Sequence, residues 1–237
     1  MSGPLKRSSL FIAFLFNFLL NVSSHAFKCT MAMGYPPFQY LKEGVPSGID
    51  PDIVKLFNQY NPDKKIEIYP MEWSDAIGEV YFGNLYDCVI GIEKTKERLE
   101  KFHFTNAIYY RFSTLFVLSD SETELSELVS KRVAADEGSY VDHLLRKKSR
   151  LVRFNSKRES FLSLKQGHVK AAIAPLRVGK YLAKELNLKV SILLSDKEGV
   201  PVSIATRKRE IRDQIAQGLK KIPKHKLESS SKKMTKN

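Results

Sequence analysis

The stretch LYDCVIGI, residues 85–92, constrains the fold more than any other part of the chain. After Asp87 it is apolar without alternation, the pattern of a strand covered on both faces inside a parallel sheet. A parallel neighbour demands a crossover, usually helical, and the flanking sequence supplies candidates. SDAIGEVYFGN reads as a helix opened by Ser74 and closed at Gly83, and TKERLEKFHF as a short helix capped by Thr95. Upstream, residues 27–33 read as a strand. GIDPDIVKLFNQY then reads as a helix with Asp50 as N-cap and Pro51 in the first position, and Ile53, Leu56, Phe57 and Tyr60 share one face. KKIEIYP is a short alternating strand ended by Pro70. Strands alternating with helices predict an α/β sheet.

A second series of the same kind follows. YYRFSTLFVLS is a long extended run. RVAAD, RLVRF and VKAAIA read as strands. GSYVDHLLRKK reads as a helix with a Ser139–Asp142 capping box, SKRESFLSLKQG as one with a Ser156–Glu159 box, and Pro175 opens another, LRVGKYLAKEL. GVPVSIATRK is again extended, and the helix after it presents Ile211, Ile215, Leu219 and Ile222 on one face before Pro223. This order predicts two α/β lobes. The extended runs near 106–118 and 198–206 are the crossings between them, and a cleft lies where strand C-ends and helix N-termini meet.

The first 26 residues read as a secretory signal. Lys6 and Arg7 precede the apolar run LFIAFLFNFLLNV, which Asn17 and Asn21 break, and Ser24 and Ala26 suit a cleavage site after Ala26. The run is short for a membrane span. The expected organisation is therefore signal peptide 1–26, first lobe 27–110 with 200–222, second lobe 111–199, and a disordered basic tail 223–237. Cleavage removes Lys6 and Arg7 and leaves 37 Lys and Arg against 26 Asp and Glu, a charge of +11. Basic charge invites a nucleic-acid reading, but no zinc-finger spacing or RNA-binding aromatic signature accompanies it, and part of the excess sits in the last residues. Export leaves two readings for Cys29 and Cys88. They lie at matching distances from two strand ends, so a disulfide is feasible outside the cytosol, yet adjacent parallel strands give awkward geometry for one.

Three stretches resemble the periplasmic solute-binding proteins of ABC importers, in particular the polar amino-acid family. They are YPPFQYLKEGVPSGIDPDIVKLF, WSDAIGEVYFGNLYDCVIGIEKTKERLEKFHFT, and GSYVDHLL followed by FLSLKQGHVKAAIA. The resemblance spans about residues 27–222 and implies a two-lobe Venus-flytrap fold that closes on a ligand about two crossing strands. It implies that Tyr35 and Trp73 sandwich the ligand side chain, that Arg98 grips the α-carboxylate, and that the Gly91 carbonyl faces the ligand. It also implies that the helix start at Ser139 and Tyr140 holds the same carboxylate. Within GYPPFQY, Phe38 is expected to pack beneath the site and Tyr35 to face it. The chemistry agrees: an arginine fork takes a carboxylate in two bonds, and aromatic faces suit an apolar stem or a cation.

Two positions depart from the family pattern. Glu93 stands where Thr or Ser is usual, and Pro175 where an aspartate usually holds the α-ammonium, with Lys170 where another acid is common. Glu93 then has several readings. It replaces the missing carboxylate, it suits a cationic ligand, it marks a ligand that is not an α-amino acid, or it pairs with Arg98 and closes the site. The preferred expectation is a periplasmic binding component that delivers a polar or basic amino acid to an inner-membrane ABC permease. It is a monomer, with no cofactor, no metal and no nucleic-acid partner. A divergent sensor or interaction module on the same fold is the alternative. An exported dehydratase-like enzyme ranks below both, because none of His103, His143 and His168 falls at a motif position and no nucleophile elbow appears.

Overall fold

The structure is a computed structural model and describes residues 26–121, 123–135, 145, 148–154 and 156–232. The first unit begins with β1 (Phe27–Ala32), the short strands β2 (Gly34–Tyr35), β3 (Gln39–Lys42) and β4 (Val45–Ser47), helix α1 (Ile49–Tyr60), β5 (Ile66–Met71) and helix α2 (Trp73–Phe82). It continues through β6 (Cys88–Glu93), the single-turn helix α3 (Lys96–Leu99), β7 (His103–Phe104) and β8 (Tyr109–Arg111). The chain then crosses into a second sheet. That part holds β9 (Ser113–Leu118), a 3₁₀ turn (Leu125–Leu128), β10 (Arg132–Ala134), β11 (Arg150–Val152), helix α4 (Lys157–Lys165), β12 (Ala171–Pro175), helix α5 (Leu176–Glu185) and β13 (Val190–Ser195). It returns in β14 (Val200–Thr206) and ends in helices α6 (Arg209–Lys220) and α7 (Lys224–Lys232).

The first sheet runs β5-β1-β6-β14-β7, with β8 also paired to β14, and the second runs β11-β10-β12-β9-β13. In each sheet the strands linked by helices are parallel, and the crossing strands β14 and β9 join antiparallel. The LYDCVIGI run becomes β6, central in its sheet, with Cys88, Val89, Ile90 and Ile92 all buried. Phe27, Met31, Ile53, Phe57 and Ile90 share one large core cluster with Ile204 and Ile215 from the returning segment.

Cys29 and Cys88 stand opposite each other in register on parallel neighbours β1 and β6, Cα atoms 4.5 Å apart, and they form a disulfide that is fully buried. The structure thus decides between the two readings left open above. Direct registry brings the two β-carbons together on the same face of the sheet.

Several local expectations change. Ser74 is not the N-cap of α2, which begins at Trp73 behind Glu72 with no side-chain cap, and β5 runs through Pro70 to Met71. Asp50 is not the N-cap of α1. The helix begins two residues earlier, at Ile49 behind Gly48 at φ 118°, and no side chain caps it. Asp50 lies in the first turn with 2% of its surface exposed. The segment after Pro223, expected to be disordered, forms α7. Its amides at Lys226 and Leu227 bond the Pro223 carbonyl, the Lys226 ammonium sits 5.4 Å above the Tyr60 ring, and Leu227 packs on the core. A single apolar residue in a basic run is a weak signal in sequence, and here contact with α1 supplies what propensity does not. By contrast, Thr95 caps α3 by accepting from the Arg98 amide at 3.4 Å, and Ser156 caps α4 by accepting from Glu159 at 3.1 Å.

Candidate functional site

The strand ends of the first sheet open onto a cavity of about 550 Å³. Five residues singled out from sequence line it: Tyr35 from β2, Trp73 at the start of α2, Gly91 and Glu93 at the end of β6, and Arg98 in α3. The opposite wall comes from the second sheet's side, where Phe154, Ser156 and Lys157 lead into α4. Ser139 and Tyr140, the second-lobe candidates, lie outside the described residues.

Arg98 is held by its surroundings. Nη1 donates to the Glu93 carbonyl at 3.0 Å, and the guanidinium carbon sits 5.8 Å from the Trp73 ring centre. Burial lowers its pKa from the ordinary arginine value, and Glu93 opposes that shift. Even so shifted, an arginine stays charged. A guanidinium placed in this way presents its remaining donors to a carboxylate.

Glu93 does not pair with Arg98 through its carboxylate. Oε1 lies 3.7 Å from Nη1 of Arg111, and 29% of the Glu93 side chain is exposed. Arg111 is the main residue that sequence reading missed. It is only 6% exposed, and its guanidinium carbon sits 4.4 Å from the Phe38 ring, 5.0 Å from Tyr35 and 5.6 Å from Tyr109. Its Nη2 donates to the Tyr109 hydroxyl at 3.0 Å, and that hydroxyl donates to Asp50 Oδ1 at 2.8 Å. Burial alone pulls the Arg111 pKa down, but Tyr109, Tyr35, Glu93 and Asp50 outweigh it and hold the pKa above the usual arginine value. Burial pushes Asp50 up from the carboxylate range against the pull of Arg111, Tyr109 and Gln39, and it pushes Tyr109 well up.

Gln39 ties this network to the sheet. Its carbonyl accepts from the Ala32 amide at 2.6 Å, and its amide nitrogen donates to Asp50 Oδ2 at 2.7 Å and to the Ile90 carbonyl at 2.9 Å. Gly91, at φ 66°, follows directly. A β-carbon there would run into the Gln39 amide and the Asp50 carboxylate, so the glycine is required both by conformation and by space. The sequence carried one signal for this buried network: an arginine inside the otherwise apolar extended run YYRFSTLFVLS needs partners if it is buried.

Phe38 is buried and stacks on Tyr109 at 5.2 Å and on Tyr35 at 6.1 Å, beneath the cavity as expected. Pro175 opens α5 and does not line the cavity, and the described second-sheet lining holds no carboxylate. Lys157 lines it, with Nζ donating to the Ile173 carbonyl at 2.9 Å. Among the described residues no three His, Cys, Asp or Glu side chains are grouped closely enough to hold a metal ion.

The family model for bacterial extracellular solute-binding proteins, family 3, matches residues 27–236. The chain belongs to that family. Solute-binding proteins also surround it among solved structures. An ancestral arginine-binding protein bound to arginine matches with TM-score 0.75 and 24% identity over 88% of this chain and 97% of that one. A probable amino-acid ABC transporter extracellular-binding protein from Bacillus subtilis matches with TM-score 0.77 and 21% identity, over 88% and 97%. A histidine kinase sensor domain with similarity to periplasmic binding proteins matches with TM-score 0.76 and 19% identity, over 90% and 96%. At these identities the likeness shows the fold, the two-lobe α/β architecture of periplasmic binding proteins. No curated protein sequence matches significantly. The family is one of binding proteins, and its name places it outside the cell. Among the described residues no helix is long and apolar enough to cross a membrane.

Proposed function

We propose that this family 3 protein is the periplasmic substrate-binding component of an amino-acid ABC importer, acting as a monomer that hands its ligand to an inner-membrane permease. The observation that carries this reading is Arg98: fixed by the Glu93 carbonyl and set over Trp73, it faces a cavity that both sheets line. Arg98 takes the α-carboxylate. Glu93 supplies the carboxylate for the ammonium in place of the second-lobe aspartate, since the strand Ala171–Pro175 ends without one. The parts built on the two sheets close as lobes about the crossings at Phe112 and residues 196–199, with Ser139 and Tyr140 completing the carboxylate site.

A polar side chain fits this cavity. The expectation of a basic ligand rested on Glu93 being free for it, and that support weakens because the Glu93 carboxylate lies beside Arg111. The sensor reading keeps one argument, the likeness to a kinase sensor domain of the same fold.

The deciding experiment is a thermal and calorimetric screen of the protein, freed of co-purified ligand by unfolding and refolding, against the twenty amino acids. A ligand at 100 times its Kd adds about 2.7 kcal/mol. Stabilisation by at least one amino acid, lost in Arg98→Ala, supports the import reading. A screen with no response defeats it in favour of a sensor or interaction module, and turnover of a bound compound would reassign the protein as an enzyme.

A further inference from the structure

Arg111 carries a consequence for the ligand's far end. Its backbone lies in β8, where the chain leaves the first sheet, and its guanidinium is packed among Phe38, Tyr35 and Tyr109. Three rings around one cation fix its position before any ligand arrives. One face of the Tyr35 ring is therefore already taken by the protein's own cation.

The donors of that guanidinium are not used up. Of five N–H groups, the protein engages Nη2 through the Tyr109 hydroxyl at 3.0 Å. Asp50 and Glu93 each approach at 3.7 Å, too far for a hydrogen bond. Nε is buried and has no hydrogen-bond partner among the described residues. Buried donors are normally satisfied, and Arg111 lines the cavity wall. The same cavity receives Lys157 from its other side. Its carboxylates among the described residues are Glu93, beside Arg111, and Glu72, exposed at the start of α2, where water screens it.

We infer that Arg111 sets the side-chain specificity of the site: it selects an amino acid whose side chain ends in an acceptor oxygen, a carboxylate or a primary amide, and it excludes lysine and arginine. The inference rests on the binding reading above, in which Arg98 holds the α-carboxylate and leaves Arg111 to the distal group. An acceptor oxygen brought to Arg111 from the cavity completes a guanidinium whose donors the described residues leave open. A second cation entering the same low-dielectric wall meets like charge at close range, and the nearest carboxylate, Glu93, already lies beside Arg111.

The test is titration calorimetry of the ligand-free, refolded protein with glutamine, glutamate, arginine and lysine. Glutamine or glutamate is expected to bind at least about tenfold more tightly than either basic amino acid, and their mutual ranking separates an amide ligand from a carboxylate one. Arg111→Met keeps the stem against the rings and removes the donors. It is expected to weaken the preferred ligand by about tenfold or more and to bring its affinity within about threefold of that for arginine. Arg111→Lys keeps the charge without the fork, is the second variant if Arg111→Met does not fold, and is expected still to exclude arginine. Arginine or lysine binding the wild-type protein as tightly as glutamine and glutamate would overturn the assignment while leaving the binding function intact. So would an Arg111→Met protein that loses all four ligands in equal proportion. Failure of every amino acid to bind would instead remove the reading on which the inference stands.

Discussion

Asp50 and Arg111 form an ion pair inside the first sheet unit, Oδ2 to Nη2 at 3.7 Å, with only 2% and 6% of the two side chains exposed. Tyr109 bridges them, accepting from Arg111 and donating to Asp50, and Gln39 anchors the carboxylate from the other side. The pair joins α1 to β8, so the floor of the cavity and the start of the crossing share one polar network.

Removing one partner leaves the other as an uncompensated buried charge. Asp50→Ala is expected to lower unfolding free energy by about 3–5 kcal/mol. The double variant Asp50→Ala/Arg111→Met is expected to lose clearly less than the two single changes together, since no lone charge remains. Urea denaturation of the four proteins measures both quantities, and additive losses would show that the two side chains act independently.

Asp50 also sets a pH dependence. Burial raises its pKa in the folded state above the ordinary 3.8. The folded protein therefore holds this proton more tightly than the unfolded chain does. The associated stability is fully present below about pH 4 and is lost as pH rises through the folded pKa. The stability advantage of the wild type over Asp50→Asn should accordingly shrink as pH rises above about 4. Parallel urea titrations across that range test this, and an advantage that grows with pH would contradict it.

Gly91→Ala tests the close packing beneath the cavity. The added β-carbon meets the Gln39 amide and the Asp50 carboxylate at a φ of 66°, so it combines an unfavourable backbone region with displaced buried hydrogen bonds. A loss of about 2–4 kcal/mol is expected. Gly34→Ala, whose new carbon meets nothing within 4 Å, serves as the control and should change stability far less.

The Cys29–Cys88 bond ties two neighbouring strands and encloses 59 residues of sequence separation. Its loss in Cys29→Ala/Cys88→Ala is expected to lower stability by about 2–5 kcal/mol, largely through a freer unfolded chain. A midpoint of urea unfolding that does not move between the oxidised wild type and the double variant would refute this.

Much of the architecture was legible in the sequence because it depends on local pattern. The run after Asp87 had to be a doubly covered strand, and the helices on either side of it announced themselves through Gly83 and Thr95. The order of motifs carried Tyr35, Trp73, Gly91, Glu93 and Arg98, and those five do meet at one cavity. What the chain order could not supply was distance between side chains far apart in it. Asp50 looked like a helix cap, because an aspartate before a proline is a cap by local chemistry. Only the approach of Gln39, Tyr109 and Arg111 makes it a buried acid. Glu93 looked free for a ligand until the fold set Arg111 beside it. The registry of Cys29 with Cys88 and the docking of α7 on Tyr60 were likewise decided by tertiary packing. Periodicity and capping are properties of neighbours along the chain, whereas the charge balance of the cavity depends on which residues the two sheets bring together.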